Sequence, residues 1–175
     1  MQSGFNIYLV GPMGAGKTTI GRFLATQLEL PFKDSDRVIE ERTGADIPWI
    51  FDVEGEEGFR NRETAILKEL VCENGLVLAT GGGIVLREEN RDCLNRRGWV
   101  VYLSASIDQL LERTSKDRKR PLLQVPDPHQ KIIELIEQRD PIYREMADII
   151  VNTDKRSPKS VAKEIVSKVQ MLDNN

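Results

Sequence analysis

The sequence predicts an α/β fold with a parallel sheet, on three observations. Strand-length apolar runs alternate with helical patterns along most of the chain, which implies parallel strands joined by crossover helices. The stretch Gly11-Pro-Met-Gly-Ala-Gly16-Lys17-Thr18 matches G-x-x-x-x-G-K-[ST] at every fixed position. It lies where that motif belongs, after an apolar run and before an amphipathic helical pattern. At 175 residues the chain is expected to form one domain, 1–175, with a substantial core.

Strands are expected near 4–10, 31–34, 76–80, 98–103 and 148–152, and helices near 16–29, 36–43, 55–73, 88–96, 106–114, 128–146 and 157–172. Phe5-Asn-Ile-Tyr-Leu-Val10 is rich in β-branched and aromatic residues. Ile20, Phe23, Leu24 and Leu28 recur at helical spacing and predict the buried stripe of the first helix. In the helix beginning at Gly55, Ala65, Ile66 and Leu70 are expected to face inward; in the last, Val161, Ile165, Val169 and Leu172 share a face. Pro141 is expected to bend or restart the long helix over 128–146.

Ligands of such a sheet bind outside the carboxyl ends of the strands, so the loops following the strands are the candidates. Gly11, Gly14 and Gly16 allow a tight turn whose N–H groups cradle phosphate oxygens, aided by the dipole of the next helix. Gly14, Ala15, Gly16, Lys17, Thr18 and Thr19 then contact a nucleoside triphosphate, with Lys17 on the β- and γ-phosphates and the Thr18 hydroxyl on Mg²⁺. Asp34 and Asp36 would point the same way in an extended segment and serve a metal, a hydroxyl or both. Alternatively, Ser35 or Asp36 caps the following helix, which would explain one of the two acids.

Gly81-Gly-Gly83 is costly in conformational entropy and suggests backbone close to a ligand with free N–H groups; a strained turn is the plainer account. The strand before it ends in Thr80 rather than an aspartate, leaving Asp34 as the metal carboxylate. Arg60 and Glu63 share a helix face: in solvent the pair matters little, whereas in the cleft Glu63 would hold Arg60 toward an anion. The run from Thr114 to Pro126 contains Lys116, Arg118, Lys119 and Arg120. It is either a solvated face or a lid at about 114–125 whose Arg120 closes over phosphates. Arg139 fits an ion pair or a helix break equally.

A net charge of −3 and a pI near 5.4 argue against a nucleic-acid surface. No apolar run approaches the roughly twenty residues of a membrane span, and the first strand begins too early to leave room for a targeting segment. Cys72 and Cys93 read as reduced thiols in a cytosol, and since nothing in the sequence demands a partner, a monomer is the default expectation. His129 reads as a solvated loop residue.

Taken together, Gly11-Pro-Met-Gly-Ala-Gly-Lys-Thr, Asp34-Ser-Asp36, Gly55-Glu-x-x-Phe59-Arg60-x-x-Glu63, Gly81-Gly-Gly83, Arg120-Pro-Leu-Leu and Arg139-x-Pro-x-Tyr143 resemble the shikimate kinase family, in its enterobacterial type, over essentially the whole chain. The resemblance implies a three-layer α/β/α P-loop kinase fold of the nucleoside-monophosphate-kinase kind, with strand order 2-3-1-4-5 and a mobile lid. It implies ATP and one Mg²⁺ per subunit as cofactors, and transfer of the γ-phosphoryl group to the 3-hydroxyl of shikimate. It further implies that Lys17, Asp36 and Arg120 act catalytically and that Thr18 and Asp34 hold the metal. Asp36, Arg60, Arg139 and the Gly81, Gly82, Gly83 loop would contact shikimate, with Asp34 and Glu63 beside it, and Arg113, Arg156 and Pro158 would flank the adenine. Two alternatives stay open: a kinase for another small hydroxy acid such as gluconate, and a slow nucleotide-hydrolysing switch. The guanine-reading Asn-Lys-x-Asp motif of a GTPase switch is not in the sequence.

Overall fold

The computed structural model describes residues 4–115 and 120–175. Among them, five strands form one parallel sheet: β1 (Asn6–Val10), β2 (Phe32–Asp34), β3 (Val77–Ala79), β4 (Gly98–Ser104) and β5 (Ile149–Asn152). Their order is β2-β3-β1-β4-β5, as the resemblance implied. The described helices are α1 (Lys17–Leu28), α2 (Ser35–Thr43), α3 (Ile47–Leu70), α4 (Glu88–Arg97), α5 (Ile107–Thr114), α6 (Pro128–Met146) and α7 (Pro158–Asp173).

The central strand explains the layering. β1 is buried along its whole length, and its side chains alternate between two cores. Ile7 and Leu9 pack with Ile20, Leu24 and Leu28 of α1 and with Val161, Ile165 and Val169 of α7. Tyr8 and Val10 pack on the opposite face with Leu67 and Leu70 of α3 and Tyr143 of α6. Asn6 is buried but satisfied: its amide donates to Tyr8 Oη at 2.9 Å and Glu73 O at 2.7 Å, and accepts from Leu76 N at 3.0 Å. This network fixes the lower ends of β1 and β3, so the loops at the opposite ends meet in one cleft.

Several local expectations are corrected. Phe23 is 42% exposed, because the buried arc of α1 is centred on Ile20, Gly21, Leu24, Ala25 and Leu28 and Phe23 lies outside it. Ala65 is exposed and Leu67 takes the inward position on α3. Helix α3 begins at Ile47, not Gly55: the Asp46 side chain accepts from Trp49 N at 2.9 Å and Pro48 occupies the first turn. Gly55, at φ 73° and ψ 178°, divides α3 into two segments, of which only the second was expected. Helix α6 continues through Pro141 without restarting, and His129 sits exposed in its first turn rather than in a loop. The N-cap of α2 is Asp34 rather than Ser35 or Asp36, its carboxylate accepting from Asp36 N and Arg37 N. Asp34 and Asp36 are therefore not two residues of one extended segment; a helix start lies between them.

Candidate active site

The glycine-rich loop after β1 has the backbone its composition demands. Gly11, Gly14 and Gly16 have φ of 149°, 82° and 92°, a region that L side chains rarely enter. Gly16 caps α1 without any side-chain bond, so the first amides of the helix are left for an anion. Lys17 lies back across the loop, donating to Gly11 O at 2.6 Å and Pro12 O at 2.8 Å. Thr18 Oγ1 donates to Asp34 Oδ2 at 2.6 Å, joining the loop to the end of β2.

These groups line an open cavity of about 500 Å³ together with Gly14, Gly16, Thr19, Asp36, Thr80, Gly81, Gly82, Arg113 and Arg120. Arg22, Arg37 and Glu40 also line it, and no motif had marked them. An adjoining cavity of about 220 Å³ brings Arg113, Arg156 and Pro158 together beside Gly16 and Thr19. Arg113 donates to Gly14 O at 2.9 Å; Arg156 is anchored to Glu164 at 2.6 Å and to Asn152 O at 3.2 Å. The 116–119 part of the expected lid lies outside the described residues.

On the other side of Asp36 is a smaller cavity of about 100 Å³, lined by Asp36, Arg60, Glu63, Gly81, Gly82, Gly83, Arg120 and Arg139. Here the Arg60–Glu63 pair is in the cleft and not on the surface: Glu63 is fully buried and accepts from Arg60 Nη1 at 2.9 Å. Arg139 is 3% exposed, with its Nε lacking a hydrogen-bond partner. Asp36 Oδ1, Glu63 Oε2 and Arg60 Nε are likewise buried and unpartnered. Four such atoms around one small cavity are costly unless a polar ligand completes them.

The glycine triplet departs from the expectation at Gly81. The Gly81 N–H is not free; it donates to Ser35 Oγ at 3.1 Å. Gly81 and Gly83 are needed for space. A Cβ on Gly81 would lie 2.7 Å from Asp36 Oδ1 and 2.8 Å from Glu63 Oε2, and one on Gly83 would lie 2.6 Å from Arg60 Cζ. Gly82 is less crowded, its Cβ position being 3.4 Å from Arg139 Nη1.

Burial and like charge perturb the groups that face the cleft. The Asp36 carboxyl is pushed up to about 7, first by burial and then by Glu63 and Asp34. Burial, then Arg120, lowers Lys17 to about 7 although its side chain is only half-buried and opens onto the cleft. Burial also raises Glu63, opposed by Arg60, and lowers Arg139. An anionic ligand would relieve the cationic side of this imbalance.

The structure adds an apolar wall that motif reading missed: Ile47, Phe51, Phe59, Pro121 and Leu122, with Met13, close the smaller cavity. Phe59 stood within a quoted motif without a role. Ile47 and Phe51 were missed because their helix segment was. The Asp46 cap followed by Pro48 was the available signal.

A family model described as shikimate kinase matches residues 13–170. A shikimate kinase from Pseudomonas syringae pathovar syringae is 59% identical over 167 residues, covering 95% of this chain and 97% of that one. One from Vibrio parahaemolyticus is 59% identical over 165 residues, covering 94% and 96%. The solved structure of shikimate kinase from Acinetobacter baumannii in complex with shikimate superposes with a TM-score of 0.93 at 52% identity, covering 97% of this chain and 94% of that one. With a cradle for triphosphate, an adjoining acid-and-arginine cavity and this extent of similarity, the chain belongs to the shikimate kinase family.

Proposed function

We propose that this chain transfers the γ-phosphoryl group of ATP to the 3-hydroxyl of shikimate, giving ADP and shikimate 3-phosphate on the route to chorismate and the aromatic amino acids. The observation that carries this reading is the junction of the two cavities: Asp36, Gly81, Gly82 and Arg120 line both. A triphosphate in the larger and a hydroxy acid in the smaller would meet at those residues, the in-line arrangement that phosphoryl transfer needs.

Arg60 and Arg139 suit a carboxylate, each offering donors in a planar fork, and Glu63 holds Arg60 in place. Asp36 receives the attacking hydroxyl. Its raised affinity for a proton suits a group that positions the hydroxyl and takes up its proton as the new P–O bond forms. Lys17, turning from its carbonyl partners, and Arg120 stabilise charge on the transferred phosphoryl. Arg113, Arg156 and Pro158 flank the adenine.

The Thr18 hydroxyl and the Asp34 carboxylate, 2.6 Å apart, are hard oxygen donors that fit one Mg²⁺ completed by phosphate oxygens and water. That ion would neutralise charge across the β- and γ-phosphates. Residues of about 34–63 form the acceptor-binding part. The enzyme works as a cytoplasmic monomer without nucleic acid or membrane, and its net charge of −3 is not that of a nucleic-acid-binding surface.

A coupled ADP-release assay with Mg·ATP tests the reading. Shikimate is expected to drive turnover, while gluconate and no acceptor give only background. Turnover with gluconate in preference to shikimate, or ADP release indifferent to any acceptor, would refute it.

A further inference from the structure

The geometry points to Tyr143 as a positioning residue for the acceptor's carboxylate: its buried hydroxyl ties the Gly82 peptide to the Arg139 guanidinium. Tyr143 is 1% exposed and lies one helical turn after Arg139 on α6, so the two side chains share a face. Its hydroxyl donates to Gly82 O at 2.5 Å, and its oxygen faces the Arg139 guanidinium. Burial pushes the phenol up to about 12, so it remains a donor throughout the working pH range.

The ring cannot drift. It stacks on Tyr102 of β4 with centroids 4.9 Å apart and planes at 29°, and Tyr102 in turn donates to Asp140 Oδ1 at 2.5 Å. The hydroxyl is thus held from both the sheet and the helix. Binding the Gly82 carbonyl fixes its peptide plane, and in a trans peptide this sends the Gly83 N–H to the opposite side. Gly82 and Gly83 are the floor on which Arg139 and Arg60 rest. Without the hydroxyl, Gly82 O loses its donor and Arg139 loses the oxygen that it faces. Tyr143 lines neither the larger nor the smaller cavity; it acts through Arg139 and the glycine floor.

This inference rests on the acceptor being shikimate. Tyr143→Phe keeps the ring and its stacking and removes only the hydroxyl. The expected result is a rise of about tenfold in the KM for shikimate, the scale of one buried hydrogen bond, with kcat and the KM for ATP within about twofold of the parent. In a cycle with Arg139→Lys, the double variant should be little worse than Arg139→Lys alone, because Tyr143 acts through Arg139. An unchanged shikimate KM, equal rises in both KM values, or full additivity with Arg139→Lys would each overturn the proposal. If Tyr143→Phe does not accumulate folded, the parent decides: the Tyr143 hydroxyl proton should exchange slowly and gain protection with shikimate but not with ATP alone. Rapid exchange, or no gain, overturns it. Absence of shikimate-dependent turnover in the parent would instead refute the functional reading, and is seen before any variant is made.

Discussion

Substituting Gly83 by Ala tests whether that glycine makes the room that Arg60 occupies. Gly83 has φ −93° and ψ 4°, a conformation alanine adopts in ordinary turns, so the backbone carries no strain. The added methyl would lie 2.6 Å from Arg60 Cζ, about 0.8 Å short of the 3.4 Å at which ordinary contact begins. Arg60 cannot yield freely. It is 8% exposed, bonded to Glu63 at 2.9 Å, near Glu56 at 3.4 Å, and over the Phe59 ring at 5.2 Å. The guanidinium must therefore swing out of the smaller cavity. Losing one charge-assisted hydrogen bond to the acceptor's carboxylate costs about 2–3 kcal/mol, or roughly 30- to 160-fold in affinity. Steady-state kinetics should show that rise in the KM for shikimate with the KM for ATP nearly unchanged, while the melting temperature falls by about 5–15 °C because the buried Glu63 loses its partner. A folded Gly83→Ala enzyme with its shikimate KM within about threefold of the parent would refute the argument that the glycine makes room for Arg60.

Two further perturbations test the electrostatics and the core. Because folding raises the Asp36 pKa from 3.8 to about 7, the folded state binds its proton more tightly. Asp36's contribution to stability is thus fully present below pH 3.8 and is lost as pH rises through about 7. Asp36→Asn should accordingly match the parent's melting temperature near pH 4 and exceed it at pH 8, while turnover collapses; an equal difference at both pH values would contradict the shift. Leu67→Ala empties a fully buried position between α3 and the sheet. It should cost about 2–5 kcal/mol in urea unfolding, and a loss below about 1 kcal/mol would mean that this layer repacks more easily than its burial implies.

How much was legible in the chain depended on how local each cause is. Strand and helix positions followed from apolar spacing, and every expected strand overlaps an observed one; the central strands β1, β3 and β4 were the plainest because they are continuous apolar runs. The phosphate cradle was legible because it is encoded in eight consecutive residues. Phe23 and Ala65 were misplaced because spacing defines a stripe but not its centre, which the neighbouring layer sets. The first segment of α3 was hidden by Gly55, which starts one segment and ends another in a single positive-φ step.

By itself, the sequence determined the parallel α/β class, the triphosphate loop and, through its scattered motifs, the family resemblance; each depends on residue type and spacing along the chain. Only the tertiary structure decided what those motifs do to one another. It moved Arg60–Glu63 from a surface pair into a cavity, gave the Gly81 N–H to Ser35 and made Gly81 and Gly83 the space for Asp36, Glu63 and Arg60, and made Asp34 both helix cap and Thr18 partner. The helix cap apart, those outcomes depend on how segments distant along the chain meet, which burial, crossing helices and sheet register fix and which no local pattern carries.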